Sequence, residues 1–182
     1  QKDAENLKMI GTHNSAKGKT HSLAMNYMFD WTEAEYKKIL GVQDLGRKHD
    51  PTLFLFNPVD LPAEVDWRGK LVSPVKNQAS CGSCWAFSAV GSMEGAYAKE
   101  FGKVGGQVQQ FSEQQLVDCA GGKYGNQGCS GGWMTQAFDY AKDHAMCSEA
   151  DYSYEGYDDS CKASSCKGIA KVDSYVNVPE DP

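Results

Sequence analysis

The seven cysteines constrain this chain more than any other feature of its sequence. All of them lie between Cys81 and Cys166. Such a high count is typical of a disulfide framework in an oxidising compartment, because cytosolic proteins rarely carry so many cysteines without a metal. Since seven is an odd number, at least one cysteine has to stand outside such a framework, either as a free thiol or as a residue with chemistry of its own.

The composition excludes several classes of protein. The 182 residues include 18 Lys and Arg and 24 Asp and Glu, which gives a formal net charge of −6. This acidic balance argues against a nucleic-acid partner, because phosphate contacts require a basic surface. No run approaches the roughly 20 apolar residues that a membrane helix needs, so we expect no membrane partner. No signal peptide is visible at the N-terminus.

The step in cysteine content divides the chain in two. Residues 1–60 contain no cysteine and show a helical pattern from Asn6 to Ile10. Thr32 and Glu35 form a capping box that predicts a second helix, with Gly41 as its stop. The proline-containing stretch from Asp50 to Pro62 predicts an extended linker.

The second part begins near Leu61 and predicts a mixture of helices and strand. Helical patterns run from Cys84 to Gly102, from Ser112 onward behind a capping box with Gln115, and from Gly132 to Asp143. Alternating β-branched residues from Ile169 to Val178 predict a strand. Together these patterns indicate an α+β protein.

The pair Cys81 and Cys84, three residues apart, is compatible with several chemistries. A zinc site requires a second pair at similar spacing, and the other cysteines are separated by five and ten residues. In redox motifs a tryptophan usually precedes the first cysteine, whereas Trp85 follows the second. The longer string C-G-S-C-W is the signature around the nucleophile of papain-like cysteine proteases.

Several further strings carry the same resemblance. From about Leu61 the chain resembles the N-terminal half of a papain-like, cathepsin L-type cysteine protease. The matching strings are PVKNQASCGSCWAF at 74–87, SEQQLVDC at 112–119, GCSGG at 128–132 and YSYEG at 152–156. The first 60 residues resemble the prosegment of that family through Asn6, Ile10 and Asn14 and through Asn26 and Asp30, with Asp3, Ala24 and Met28 as departures.

The resemblance implies a fold and a function. The fold is papain-like, with a helical left domain and the start of the β-rich right domain in residues 61–182, preceded by a helical inhibitory prosegment in residues 1–60. The function is that of a cysteine endopeptidase precursor, which hydrolyses peptide bonds through a thiolate and an acyl-enzyme. No cofactor and no metal are expected. We expect a monomer in a lysosome, an acidic vacuole or a secreted fluid.

The implied partners follow from the same resemblance. They are peptide and protein substrates, cystatin-type inhibitors, and the chain's own prosegment as an intramolecular inhibitor. The stretch from Leu53 to Asp60 is expected to run through the cleft and block it.

Two residues are expected to carry the chemistry. Cys84 is the nucleophile, placed at the start of a helix where the partial positive charge favours a thiolate. The helix end contributes only about 0.3–1 kcal/mol, so a partnering imidazolium has to supply most of the stabilisation. The resemblance assigns Gln78 to the oxyanion hole, where its side-chain amide and the backbone N–H of Cys84 would donate to the developing charge.

Other residues are expected to bind substrate or to form disulfides. Gly131 and Gly132 match glycines that pair with the substrate backbone, and Trp133 and Met134 follow them. Met134 matches the wall of the S2 pocket, which implies a preference for a bulky apolar P2 residue, although a core position on a helix is an equal alternative. The resemblance selects the bridges Cys81–Cys129 and Cys119–Cys161, and we predict that the remaining two cysteines form Cys147–Cys166.

No histidine of this sequence lies where the family's catalytic base is expected. In this family the histidine lies about 130–150 residues after the nucleophile, and only 98 residues follow Cys84. The histidines present, His13, His21, His49 and His144, match no catalytic motif. We therefore expect this chain alone to be inactive. The alternatives are an inactive truncated homologue, a prosegment-type protease inhibitor, or a metal or redox C-x-x-C module.

Overall fold

The computed structural model describes residues 2–42 and 62–177. Backbone contacts divide the chain into two units, one that ends at Lys38 and one that begins at Ile39. The predicted linker and the segment expected in the cleft, Leu53–Asp60, lie outside the described residues.

The first unit contains helix α1, Lys2–Ser15, and helix α2, Glu33–Lys38. Asparagine side chains on α1 attach the segment that follows the helix. Asn6 Nδ2 donates to the carbonyl of Phe29 at 2.7 Å, and Asn14 exchanges two hydrogen bonds of 2.8 Å with the backbone of Leu23. These two asparagines therefore have a structural use in this unit.

The capping box predicted for α2 is present. The N–H of Glu35 donates to Thr32 Oγ1 at 3.2 Å, and the N–H of Thr32 donates to Glu35 Oε2 at 2.7 Å. The N–H and the hydroxyl of Thr32 both donate to Glu35 Oε2, and they lower the pKa of the Glu35 carboxyl because they favour its charged form. The helix ends at Lys38, before the predicted stop at Gly41.

The second unit is built around helix α3, Cys84–Phe101, which packs against α4, Glu113–Cys119, and α5, Met134–Asp143. Three short 3₁₀ turns complete it, at Gly122–Tyr124, Gly128–Ser130 and Ala163–Ser165. The small residues of α3 allow the other helices to approach closely. The fully buried core comprises Trp85, Ala86, Ala89, Val90, Leu116, Ala120, Ala137 and Ala141.

Only half of the capping box predicted for α4 forms. Ser112 Oγ accepts from the N–H of Gln115 at 2.9 Å, as expected. The Gln115 side chain does not return to Ser112. It donates to Tyr140 Oη at 3.1 Å and to the carbonyl of Ala145 at 3.0 Å, and it accepts from the N–H of Cys147 at 2.7 Å. Gln115 therefore connects α4 to the end of α5.

The strand predicted at Ile169–Val178 does not form in the part of it that the structure describes. The segment makes one isolated antiparallel bridge, between Met146 and Ala170. After that bridge, the N–H of Val172 donates to the carbonyl of Ala141 at the end of α5. A strand needs a continuous partner, and this segment meets a helix end instead, so its alternating apolar residues reflect packing on the core.

A buried ionic cluster joins α3 and α4. Lys76 Nζ lies 2.6 Å from Glu94 Oε1 on α3 and 2.6 Å from Glu113 Oε1 on α4, and both glutamates are 1% exposed. Ser73 Oγ donates to Glu94 Oε2 at 2.6 Å, and the N–H of Phe111 donates to Glu94 Oε1 at 3.0 Å. A buried charge is tolerated only when it is paired and hydrogen-bonded, and these contacts meet that requirement.

The cluster has more carboxyl groups than cations, because Glu149 interacts with it as well. Burial raises the pKa of Glu113 to about 7, against the opposing hydrogen bond from Lys76. Burial also raises the pKa of Glu149. The folded protein therefore binds a proton at this cluster in a pH range where the unfolded chain has released it.

This difference predicts that stability falls as the pH rises. A carboxyl whose pKa is raised on folding stabilises the fold fully below its unfolded pKa of 4.5, and that contribution is lost as the pH approaches 7. We expect a loss on the order of 2 kcal/mol between pH 5 and pH 8 from this cluster. In Glu113→Gln the decline should be clearly shallower, measured by urea unfolding at several pH values.

The matched control is Glu100→Gln, which removes an exposed carboxylate from α3. It should retain the wild-type pH dependence. If Glu113→Gln and Glu100→Gln decline in parallel with the wild type, the assignment of the raised pKa to this cluster is wrong.

Three disulfides connect the loops of the second unit. They join Cys81 to Cys129, Cys119 to Cys161 and Cys147 to Cys166. Cys84 is left as a free thiol. The first two bridges span 48 and 42 residues, and on the chain-entropy model loops of this length each stabilise the fold by about 4 kcal/mol.

The pairing predicts one alkylated cysteine in the native protein. Mass spectrometry after iodoacetamide treatment without reduction should find the label on Cys84 alone. Label on Cys147 and Cys166 as well would contradict the third bridge, and would leave the other two intact.

Candidate active site

Helix α3 begins at Cys84, whose thiol is free and partly exposed. The residue before it, Ser83, occupies the N-cap position, and its side chain makes no capping hydrogen bond. The N–H groups of the first helical turn point toward the N-terminus and give it a partial positive charge. This end of the helix can therefore stabilise a thiolate, or a negative charge that develops beside it.

The loop before Cys84 carries the predicted oxyanion-hole residue. Gln78 Nε2 donates to the carbonyl of Cys81 at 2.8 Å and to the carbonyl of Ile39 at 3.0 Å. The next residue, Ala79, has a φ of 53°, a left-handed conformation that costs a residue with a Cβ about 1–2 kcal/mol. The Gln78 side chain therefore closes its own loop by donating to the Cys81 carbonyl. The same amide also donates to a peptide carbonyl of another segment, that of Ile39.

A second loop presents the predicted substrate-binding glycines. Gly131 has a φ of 117°, which favours glycine. A Cβ on Gly132 would lie 2.8 Å from the Trp85 ring, so no side chain fits there. The Trp85 indole is fixed in turn by donating to the carbonyl of Gly128 at 3.1 Å. The absence of a side chain leaves the backbone of Gly132 open to a peptide.

The two loops are joined directly. The Cys81–Cys129 disulfide links them, and the N–H of Gly82 donates to the carbonyl of Cys129 at 3.0 Å. The loop of Gln78 and the loop of Gly132 are therefore held next to each other, and the cleft is the space between them.

A segment of the chain itself lies in this cleft, at residues 39–42. The N–H of Gly132 donates to the carbonyl of Gly41 at 2.7 Å, and Val42 forms a parallel bridge with Gly132. Gly41 passes so close to Gly82 that a Cβ would overlap the Gly82 carbonyl. The sequence pattern predicts Gly41 as a helix stop, whereas the structure places it against Gly82 and Gly132. The apolar residues around Gly41 are the sequence signal that could have revealed this contact.

Trp133 and Met134 lie beside the cleft, at the start of α5. The N–H of Trp133 donates to Asn126 Oδ1 at 2.8 Å, which orients the turn after Gly132. Met134 is half-buried and packs on the core cluster. The core alternative for Met134 therefore has support, and its partly exposed side chain is still available to a ligand.

The described histidines are engaged elsewhere. His144 ends α5, and its ring stacks on Tyr140 with the centroids 4.7 Å apart. His13 and His21 pair with each other in the first unit, with their centroids 4.6 Å apart. His49 lies outside the described residues.

Within residues 2–42 and 62–177, no group of three or more His, Cys, Asp or Glu side chains is placed to hold a metal ion. None of the helices in that part of the chain has the length and apolar character to cross a membrane.

Comparison with known proteins identifies the family. Residues 61–182 match the family model described as papain family cysteine protease. The chain is 44% identical over 169 residues to a cathepsin L-like protein of Caenorhabditis elegans, which covers 89% of this chain and 48% of that protein. It is 44% identical over 184 residues to human cathepsin L2, covering 96% of this chain and 52% of the relative. The chain thus spans about half the length of the curated relatives it matches.

Solved structures agree with this assignment and confirm the predicted papain-like fold. Digestive procathepsin L2 from Tenebrio molitor larval midgut is 35% identical, with a TM-score of 0.78 over 97% of this chain and 59% of that structure. The recombinant stem bromelain precursor is 32% identical, with a TM-score of 0.79 over 98% of this chain and 57% of that structure. The helices around α3 correspond to the helical left domain of that fold.

The nucleophile string, the free thiol at the start of α3 and the paired glycine loop all lie in the region that the family model matches. This chain belongs to the papain family of cysteine proteases.

Proposed function

We propose that this chain is part of the precursor of a cathepsin L-type cysteine endopeptidase. Residues 1–60 act as its inhibitory prosegment, and residues 61–182 supply the nucleophile, one oxyanion donor and part of the substrate cleft. The similarity to procathepsin structures over nearly the whole chain supports this division.

One observation carries the proposal: the cleft binds a peptide backbone. The Gln78 amide donates to the carbonyl of Ile39, and the N–H of Gly132 donates to the carbonyl of Gly41. These are the two kinds of contact that a protease has to make, one at the carbonyl under attack and one along the flanking backbone. A metal or redox module would have no use for either contact.

The chemistry follows from the positions of these groups. The Cys84 thiolate attacks the carbonyl carbon of the substrate and forms a tetrahedral oxyanion. The Gln78 amide and the N–H of Cys84 donate to that oxygen. When the intermediate collapses, the C–N bond breaks, the amine leaves with a proton, and an acyl-enzyme remains for water to hydrolyse.

The proton is expected to come from the family's histidine, whose position falls after residue 182. We expect residues 1–182 alone to lack turnover, because His13, His21 and His144 are engaged elsewhere and the expected position of the base falls after residue 182. The full protease would combine this chain with that base.

Substrate preference and location are further parts of the proposal. Trp133 and Met134 beside Gly132 favour a bulky apolar P2 residue, because a flexible thioether adapts to different apolar partners. The three disulfides favour an oxidising compartment, and we propose a lysosomal or secreted protease with cystatin-type inhibitors among its partners.

The first test replaces the two predicted catalytic groups in the full-length protease. Cys84→Ala should abolish hydrolysis of a fluorogenic peptide with a bulky apolar P2 residue. Gln78→Ala should retain the nucleophile and lose about 10²–10³ in kcat, since one oxyanion donor typically contributes that factor.

Two surface variants serve as controls. Ser88→Ala changes an exposed residue of α3. Gln107→Ala truncates an exposed glutamine in the loop that follows α3. Both should match the wild type. Hydrolysis that survives Cys84→Ala, or turnover by residues 1–182 alone, would contradict the proposal.

The second test concerns inhibition by residues 39–42. In Gly41→Val the added side chain would collide with the Gly82 carbonyl, so the segment could not lie in the cleft as it does. An overlap of this kind typically costs about 1–3 kcal/mol, so the unprocessed precursor should be about tenfold more active or more. Activity is measured before any processing, with the chain length checked by mass spectrometry.

Leu40→Ala is the matched control, because Leu40 is adjacent in sequence and its side chain is 56% exposed. It should leave the precursor as inactive as the wild type. Equal activity of the Gly41→Val and wild-type precursors would show that residues 39–42 do not inhibit.

A further inference from the structure

Tyr154 connects the two elements that carry the proposed oxyanion donors. Its hydroxyl donates to the backbone carbonyl of Gln78 at 2.7 Å, across 76 residues of sequence. The same hydroxyl lies 2.7 Å from Ser83 Oγ, the residue directly before Cys84. One phenol thus contacts the backbone of the Gln78 loop and the cap position of α3.

The direction of these hydrogen bonds follows from the groups involved. A carbonyl oxygen can only accept, so the single proton of the Tyr154 hydroxyl goes to Gln78. The Ser83 hydroxyl must therefore donate to Tyr154. The chain of donors runs from Ser83 through Tyr154 to Gln78, and consecutive hydrogen bonds of this kind strengthen one another.

This arrangement explains why Ser83 does not cap its helix. Serine at an N-cap position usually accepts from a backbone N–H of the first turn. Here the Ser83 side chain, which is fully buried, is directed to Tyr154 and makes no capping bond. The first turn of α3 gives up a side-chain capping bond, and the N–H groups of Ala86 and Phe87 donate to the backbone carbonyl of Ser83 instead, at 2.9 and 3.2 Å.

The peptide group after Gln78 is held at both ends. Its carbonyl accepts from Tyr154 and, at 3.4 Å, from the N–H of Cys81, while the N–H of Ala79 donates to Asn77 Oδ1 at 2.9 Å. Ala79 has the unfavourable left-handed φ, which persists only when the surroundings fix it. The Tyr154 hydrogen bond is one of the contacts that fix it.

Tyr154 is itself rigidly placed. Its ring packs edge-on against Phe87 of α3, with the centroids 4.8 Å apart, and its N–H donates to Glu149 Oε1 at 2.9 Å. Burial raises the pKa of Tyr154 above the ordinary tyrosine range, so the hydroxyl keeps the proton that it donates.

We infer that Tyr154 is a positioning residue for peptide hydrolysis, which fixes the Gln78 loop relative to the start of α3 and so sets the spacing of the two oxyanion donors. The inference rests on the proposed function, because it assigns Tyr154 a role through Gln78. It also gives a use to the YSYEG motif at 152–156, which the nucleophile and the cleft do not explain.

The experiment compares Tyr154→Phe with Tyr152→Phe in the full-length protease. Tyr152 is a matched control, because its hydroxyl donates to Asp118 Oδ2 at 2.7 Å and has no contact with the Gln78 loop. Tyr154→Phe should lower kcat about tenfold with little change in KM, since the lost hydrogen bond displaces a donor and leaves substrate binding intact. Tyr152→Phe should retain the wild-type kcat, and both variants should alkylate at Cys84 at the wild-type rate.

A double variant separates positioning from general damage. If Tyr154 acts through Gln78, then Tyr154→Phe should have no further effect on kcat in a Gln78→Ala background, because there is no amide left to position. If the two losses multiply, Tyr154 acts on the structure at large and the inference is wrong. A wild-type kcat in Tyr154→Phe would overturn it as well.

A second readout does not depend on peptidase activity. Tyr154→Phe should accelerate hydrogen exchange of the Ala79 and Cys81 amides about tenfold, and Tyr152→Phe should not. If the wild-type protease shows no hydrolysis, the proposed function fails, and this exchange measurement still decides whether Tyr154 fixes the loop. Unchanged exchange in Tyr154→Phe would remove the structural basis of the inference.

Discussion

The rest of the second unit depends on the ion pairs of Lys76, whose side chain is 20% exposed, with two buried glutamates. Lys76 Nζ lies 2.6 Å from a carboxylate oxygen of Glu94 on α3 and 2.6 Å from one of Glu113 on α4, so a single cation joins two helices that would otherwise bring carboxyl groups together. Removing one partner from such a buried pair typically costs about 3–5 kcal/mol. Because Lys76 lies two residues before Gln78, the same contact also places the start of the loop that carries the oxyanion donor. The ion pairs of Lys76 therefore hold the two helices together and also position the loop that carries Gln78.

The helices could be predicted from the sequence because their signals are local. The reciprocal contacts of Thr32 and Glu35 involve residues three apart, and the apolar pattern that begins at Cys84 spans a single element. Long-range partners overrode local patterns elsewhere. Gln115 contacts Tyr140 instead of completing its box, and the segment after Ile169 has the composition of a strand and lacks a partner strand.

The candidate site likewise has residues that local motifs predict and residues whose contacts are long-range. Cys84, Gln78 and Gly132 were predicted from specific motif strings, and in the structure Gln78 and Gly132 contact the same segment of the chain, at Ile39 and Gly41. The contact of Gly41 was missed in the sequence, because a glycine after a helix also fits an ordinary helix stop. The Tyr154 hydroxyl contacts Gln78, which lies 76 residues away in the sequence. Neither a periodic pattern nor a local motif in the sequence predicts such a contact.

The positions of Cys81 and Cys84 also set a chemical condition on where the protein can work. One sulfur is oxidised in the bridge that joins the cleft walls, and the other, three residues later, has to remain a thiol to react. The two cysteines differ in solvent exposure, because Cys81 is 2% exposed whereas Cys84 is partly exposed. A small thiol reductant therefore reaches Cys84 more readily than the bridge, and on the proposed function it would restore an oxidised Cys84 thiol while Cys81–Cys129 stays closed.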